Sequence, residues 1–528
     1  MQSSTQSTDR PELIFALVGA AGARLDDLSR EIKNKLDSFG YATEDIRLSQ
    51  LLENFDTPSS TNGNGEFDRI KHLQGKGNAL RRALTDGAAL ARAGIARIRE
   101  KRAVISGEPD KPASAHAYIL HQLKHPDETD LLRQVYGSTF LLVAGYCPRE
   151  IRAKELAHKN AIQVGLAGQE SSFLGDAYKV IQTDESQEDD FGQNTRDTYP
   201  QADFFANLGA AGGATDVRRF VDLLFAHPFI TPTPEEYAMY QASAASLRSS
   251  DDNRQVGAVI VKLKREGPTR FKDVDVIAVG MNEVPRGGGG FYWEGASPDA
   301  RDQSLLHIDA NEDRAKTFKI SALAELLAKI KQKNWLVQPY AQGEPSDLAC
   351  DLLNDLKRTQ FMNIGEFSRP VHAEMAALID SARRGISVDG HSMYVTTFPC
   401  HNCAKHIIAA GLQRVVYLEP YPKSRASDLY KEEIVLESVD GQEVDGRVVF
   451  CAFKGVAPRQ YQQLFSMSQR GAKRGIALSQ WEKERRSLSP RYVMRNASNA
   501  YVVAERQELE KLLPGTYKWD KDRICPKL

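Results

Sequence analysis

Residues 372–418 read HAEMAALIDSARRGISVDGHSMYVTTFPCHNCAKHIIAAGLQRVVYL. The apolar positions of HAEMAALIDSARRG and CAKHIIAAG recur at helical spacing, whereas SMYVTTF and RVVYL are short runs rich in β-branched and aromatic residues. The order is helix, strand, helix, strand, which predicts an α/β domain. Upstream, EYAMYQASAASLRS reads as a helix, and QVGAVIVKL and VDVIAVGMN read as strands of the same domain. Between Pro285 and His372 the pattern is interrupted by RGGGGFYWEG and the helical ISALAELLAKIKQ. That insertion is too long for a plain connection and is expected to cover a site.

The N-terminal half repeats the α/β pattern independently. ELIFALVGAAGARLDDLSREIKNKLDSFGY predicts a strand, a glycine turn and a helix whose Leu25, Leu28, Ile32, Leu36 and Phe39 share a face. ASAHAYILHQLKHPDETDLLRQVYGSTFLLVAGYCP adds a strand, a helix and a strand, so a parallel sheet with helical cover is expected. The acidic run TDESQEDDFGQNTRDTYPQADFFANLG is read as crossing the surface before a last helix. The resulting division is a polar tail at 1–10, a first domain at 11–235, a second at 236–470 with its insertion at about 286–370, and a helical extension at 471–528.

A chain of 528 residues exceeds what one core usually serves, which agrees with two domains. Lys and Arg total 69 against 70 Asp and Glu, so no global positive field recruits nucleic acid. The longest apolar runs fall short of the ~18–20 residues of a membrane helix, and MQSSTQSTDR does not read as a signal peptide. A cytoplasmic protein with no membrane partner is expected. Six cysteines are too few for a disulfide scaffold, and the only close pair is Cys400 and Cys403.

That pair, with His372, supplies two thiolates and one imidazole, three ligands for a tetrahedral Zn2+ whose fourth position stays open to water. Cys400 and Cys403 are placed at a helix start, where backbone N–H groups and the dipole favour thiolates and Pro399 is tolerated. Glu374, two residues from His372, is the candidate catalytic residue, a proton carrier for attack of activated water on an amidine-like ring carbon such as C4 of cytosine. A structural zinc half-site or a redox dithiol also uses Cys-x-x-Cys. The remaining cysteines, Cys147, Cys350, Cys451 and Cys525, are scattered singly, and neither alternative needs Glu374. His401 and His406 read as ordinary helix residues.

At these residues the sequence resembles the deoxycytidylate deaminase family, whose zinc signature is H-A-E followed by P-C-x-x-C. The resemblance extends to Arg254-Gln-Val-Gly-Ala258, Gly280-Met-Asn282 and Arg414-Val-Val-Tyr417. It implies a three-layer α/β/α deaminase fold, with Asn282 binding the deoxyribose 3'-hydroxyl and Arg254 near the phosphate end. In Glu419-Pro-Tyr-Pro-Lys-Ser-Arg425, Tyr421 is a candidate for stacking on the base and Lys423, Ser424 and Arg425 for meeting phosphates; a solvated turn is the competing reading.

Gly19-Ala-Ala-Gly22-Ala-Arg24 lies between a strand and a helix, the setting of a phosphate-binding loop. A full G-x-x-x-x-G-K-[ST] pattern from Gly19 would need Gly, Lys and Ser or Thr where Arg24, Leu25 and Asp26 stand. Gly19, Gly22 and Arg24 are therefore candidates for a regulatory nucleotide site rather than for ATP turnover, against a structural turn. No side-chain motif indicates Mg2+ beyond what a bound nucleotide triphosphate would bring. With HQLKHPDETDLLRQVYGSTFLLVAGY and GQNTRDTYPQADFF, this half resembles the P-loop nucleotide-kinase-like domain of bacterial antiphage deoxycytidylate deaminases. Arg149 and Arg152 resemble its lid segment, although a surface helix accounts for them equally. The resemblance implies conversion of dCTP and dCMP to deoxyuridine nucleotides during phage infection, a homo-oligomer, and restraint by a small RNA in some bacteria. The other readings are a polynucleotide cytidine deaminase, using the basic stretch after Arg470, and a nucleotide-triggered scaffold with a structural zinc.

Overall fold

A computed structural model of the chain describes residues 10–55, 64–185, 192–209, 212–251, 254–266, 271–302, 304, 310–338, 340–356, 359, 369–419, 424–436, 446–467, 478–490 and 500–511. The chain forms two compact units, Met1–Tyr237 together with Ala452–Leu528, and Ala238–Cys451. No helix among the described residues is long and apolar enough to cross a membrane.

The first unit is built on strands β1 (Leu13–Val18), β2 (Ala42–Arg47), β3 (His116–Leu123), β4 (Phe140–Tyr146) and β5 (Phe204–Asn207). They are parallel in the order β5-β4-β1-β3-β2. β1 is central and wholly buried, as its unbroken LIFALV run requires of a parallel strand covered on both faces. The chain leaves β1 through Gly19–Arg24 into helix Leu25–Ser38, which turns Leu25, Leu28, Ile32 and Leu36 into the core with Phe225 and Trp481. The strand order reverses beside β1, which puts this loop where open α/β sheets accept ligands.

Two strands were not legible as strands. β2, ATEDIR, is a mostly exposed edge without an apolar run. β5 has four residues, and its buried Phe204 and Phe205 lie inside the polar stretch expected to cross the surface, so that expectation is corrected.

The outer boundary also differs. β12 (Gly455–Val456) pairs antiparallel with β5, and Val456 lies in the first unit's core, so residues assigned by sequence to the second domain complete the first. The C-terminal helix Ala500–Glu510 is equally part of the first unit. Its Glu505 accepts from Arg99 at 3.1 Å and from Arg102 at 2.7 and 2.8 Å, while Arg102 also grips Glu12 at 2.9–3.1 Å. Tyr501 donates to Glu12 at 2.7 Å.

The second unit is a mixed sheet, β10-β11-β9-β8-β6-β7, of β6 (Gly257–Arg265), β7 (Phe271–Met281), β8 (Ser392–Thr397), β9 (Arg414–Glu419), β10 (Ile434–Leu436) and β11 (Val448–Ala452). β6 runs antiparallel to β7 and β8, and β8 is parallel to β9. In the insertion, helices Ala310–Gln332 and Pro345–Asp355 bury Leu323, Ala349 and Leu353 against each other. Helix Ala373–Arg383 packs on β6 and β7 at unusually close range, because a Cβ at Gly280 would come within 2.1 Å of the Ala373 carbonyl. Gly280→Ala is therefore expected to push this helix outward, with a cost of about 1–3 kcal/mol and substoichiometric zinc on metal analysis of the purified variant.

Candidate active site

Two helix starts build the site. His372 is the N-cap of helix Ala373–Arg383, and Cys400 is the N-cap of helix His401–Ala409, with Cys403 in that helix's first turn. Neither N-cap side chain makes a cap hydrogen bond, and Cys400 instead meets Cys403 and His372, so the two helix starts converge. β8 delivers Cys400 through Phe398 and Pro399, and the Val371–Glu283 bridge holds the entry to His372 at 3.0 Å.

His372 Nδ1 lies 3.4 Å from the Sγ atoms of both Cys400 and Cys403. A tetrahedral zinc at about 2.05 Å from nitrogen and about 2.3 Å from sulfur sets N···S separations of about 3.6 Å. Imidazole and two thiols at this spacing fit that ion, and among the described residues this is the only group of three or more metal-binding side chains. His401 and His406 do not join it.

The Cys400 thiol, bonded by Cys403 and by His372, is held down to about 3, so it is a thiolate. The same thiolate raises His372 to about 9 and, with burial, pushes the Cys403 thiol well above its ordinary value. At pH 7.5 the metal-free site thus carries a proton on His372 and another on Cys403, both of which zinc must displace. Uptake of zinc by chelator-stripped protein is expected to release about two protons, read by calorimetry in buffers of different ionisation enthalpy, and to tighten as pH rises. Release of no protons would contradict this charge arrangement.

Glu374 is 4% exposed and stands in the first turn of its helix, facing Cys403. Burial raises its carboxyl, and His372 opposes that rise. A carboxyl whose pKa is raised by burial is better matched to proton transfer near neutral pH than a solvated one.

The remaining candidates divide. Asn282 is buried and clamps the loop before β6: its Nδ2 donates to the Arg254 carbonyl at 2.8 Å, and its Oδ1 accepts from Val256 N–H at 2.7 Å. Arg254 reaches Glu419 at the end of β9, and Glu419 also accepts from Thr397 at 3.5 Å. Ser424 donates to the Pro399 carbonyl at 2.8 Å, bracing the segment that presents Cys400. Arg425 is exposed near Asp428. Tyr421 and Lys423 lie outside the described residues.

Sequence reasoning missed Glu283, whose buried carboxylate accepts from Ser250 N–H at 3.2 Å, Ser250 Oγ at 3.1 Å and Val284 N–H at 2.8 Å. Its signal was an acidic residue directly after the Gly280-Met-Asn282 strand end.

In the first unit, Gly22 takes φ +83°, and a Cβ there would meet the Arg152 carbonyl at 2.8 Å. Arg24, the candidate for a phosphate contact, donates from its guanidinium to the Leu208 carbonyl at 2.8 Å. A Cβ at Gly19 would press on the Gly145 carbonyl at 2.9 Å, so this glycine serves packing of β1 against β4. Arg152 is likewise engaged internally, with Cys147 and Glu185 at 2.8 and 2.7 Å.

The cytidine and deoxycytidylate deaminase zinc-binding region matches residues 232–419. The deoxycytidylate deaminase of Enterobacteria phage T2 is 46% identical over 55 residues, 10% of this chain and 29% of that protein. The deoxycytidylate deaminase of Mycobacterium phage D29 is 26% identical over 186 residues, 35% of this chain and 94% of that protein. The dCMP deaminase structure from cyanophage S-TIM5 in apo form aligns at 18% identity and a TM-score of 0.21, over 42% of this chain and 99% of that one. The match spans under a third of the T2 relative's length. Residues 232–419 therefore form a deoxycytidylate-deaminase-like zinc-binding domain, in which His372, Cys400 and Cys403 are close enough together to hold a metal ion.

Proposed function

We propose that the second unit hydrolyses the exocyclic C–N bond of cytosine in a deoxycytidine nucleotide, dCMP or dCTP, giving the deoxyuridine nucleotide and ammonia. The observation that carries this reading is a buried carboxyl, Glu374, beside an imidazole and two thiols at zinc-binding separation. A zinc ion held by His372, Cys400 and Cys403 would supply Lewis acidity, which brings the pKa of water from about 15.7 toward about 7. Glu374 takes one proton from the attacking water and delivers it to ring N3, then takes the second from the resulting C4 hydroxyl and delivers it to the departing amino group. Water oxygen stays on C4, and the amino nitrogen leaves as ammonia. Asn282 acts by holding residues 254–256 in place and by offering its remaining amide hydrogen to the sugar, while Arg254, Ser424 and Arg425 are the cations and hydroxyl nearest the phosphate end. The relatives' names support a deoxycytidine nucleotide as the substrate class.

By the family resemblance, the physiological setting is depletion of deoxycytidine nucleotides in antiphage defence. The first unit is then a kinase-like regulatory half, and the protein is a cytoplasmic homo-oligomer restrained by a small RNA in some hosts. The deciding experiment incubates zinc-loaded full chain with dCMP, dCTP, CMP, cytidine and single-stranded DNA and identifies products by mass. Conversion of dCMP or dCTP is expected; conversion of DNA alone, or of nothing, overturns the proposal.

A further inference from the structure

The segment that leads into β6 is laced to the end of β7, and Glu283 is the knot. One oxygen of its carboxylate, 2% exposed, accepts from Ser250 N–H at 3.2 Å, and the other accepts from Ser250 Oγ at 3.1 Å and Val284 N–H at 2.8 Å. Beside it, Ser249 Oγ donates to the Asn282 carbonyl at 2.7 Å and accepts from Asp251 N–H at 3.2 Å. Gln255 Nε2 donates to the Ser249 carbonyl at 2.7 Å, which joins residues 249–251 to residues 254–256, the stretch held by the Asn282 amide. Arg248 and Arg301 interact with the Glu283 carboxylate at longer range but bond elsewhere, Arg248 to the Tyr292 carbonyl at 2.9 Å and Arg301 to Asp299 at 2.6–3.1 Å. The carboxylate oxygens therefore serve Ser250 and Val284.

The main chain of Glu283 has a different partner. It exchanges N–H···O=C bonds with Val371 at 3.3 and 3.0 Å, and Val371 precedes His372. One residue thus reaches the metal side of the site through its backbone and the Asn282 side through its carboxylate. A substitution of the side chain leaves the first link and alters the second. Gln has the volume of Glu but only one accepting end. The Ser250 hydroxyl can rotate to suit an amide, whereas Ser250 N–H and Val284 N–H cannot, and they are bonded to different oxygens. One of these two backbone donors must lose its partner in Glu283→Gln.

We propose that Glu283 is a positioning residue for substrate binding: by pinning Ser250 it keeps Ser249 on the Asn282 carbonyl, and so fixes the amide hydrogen that Asn282 offers to the sugar. This role rests on the deoxycytidine-nucleotide reading of the site. No sugar bond is made or broken in deamination, so a misplaced Asn282 weakens ground state and transition state alike. Such a loss raises KM and leaves kcat in place.

The test compares zinc-loaded full-chain Glu283→Gln with the parent, using steady-state kinetics on dCMP and dCTP, metal analysis and hydrogen–deuterium exchange. KM is expected to rise about tenfold or more, as loss of a hydrogen bond to a charged group implies, with kcat within about threefold and zinc content equal to the parent's. Exchange quickens at residues 249–251 and 254–256 and stays as it was in helix Ala373–Arg383. Ser250→Ala, which keeps the backbone donor, raises KM less. Glu283→Asp retains both accepting oxygens and falls between parent and Gln; it serves in place of Glu283→Gln if that variant fails to fold. With an active parent, an unchanged KM, a fall of kcat or zinc in place of a rise in KM, or unaltered exchange at residues 249–251 overturns the positioning role alone. A parent that turns over neither nucleotide sinks the deamination reading and this role with it.

Discussion

Replacing Glu374 by Gln is expected to lower ammonia release from dCMP or dCTP by about 10²–10⁴-fold or more, the range that a positioned general acid–base contributes. Gln keeps the volume and one hydrogen-bonding oxygen of the original side chain, so the packing of a residue that is 4% exposed survives. What it loses is the proposed ability to carry protons, one to the ring and one to the leaving amine. The metal donors are other side chains, so zinc content and the thermal transition should match the parent. This separates a chemical role from a structural one. Deamination within tenfold of the parent would sink the assigned mechanism, and loss of zinc in parallel would show that Glu374 builds the site instead.

The second large effect concerns stability of the first unit. Glu505, fully buried, meets Arg99 and Arg102, which are also fully buried, and Arg102 is shared with Glu12. Asp110 faces Arg99 at 2.6 Å and also binds Arg506, so each positive group in this cluster has a carboxylate partner. Glu505→Ala removes one carboxylate from each of two buried guanidinium groups, leaving Arg99 with Asp110 and Arg102 with Glu12, and loss of these charged hydrogen bonds costs about 1.5–3 kcal/mol. Urea unfolding followed by tryptophan fluorescence should show the first unit's transition moving to lower denaturant, since Trp481 lies in that unit's core. The two units need not unfold together, so midpoints of separate transitions are the quantity to compare. Glu505→Gln, which retains hydrogen bonding without charge, should fall between the parent and Ala. A midpoint unchanged in Glu505→Ala would mean that the C-terminal helix contributes little.

The zinc donors were legible because ligand chemistry demands particular residue types at short spacing, and Pro399-Cys400-His-Asn-Cys403 leaves few alternatives. β1 and β4 were legible because a strand buried on both faces must be continuously apolar. β5 was not, since FFAN is too short to carry a period, and its burial comes from β4 and β12 on either side. Asn282 shows a different limit. The family resemblance implied sugar binding, but only the three-dimensional structure shows both polar atoms of the amide tied to Arg254 and Val256. Asp184 was invisible for a related reason: it meets Ala21 across 163 positions of sequence, a partnership that no local pattern encodes.

The first unit's split along the chain has a consequence for its birth on the ribosome. β5 waits for β12, and the Phe39 and Phe225 rings wait for Trp481, until the whole of Ala238–Cys451 has been translated. At about 5–20 residues per second, those roughly 200 residues take about 10–40 s. During that interval the nascent sheet has an open β5 edge and an unfilled apolar cleft, the features that recruit chaperones or misdirect pairing. The second unit, by contrast, is continuous and emerges with all its strands in one stretch, so the catalytic half is free to mature while its older neighbour is still incomplete.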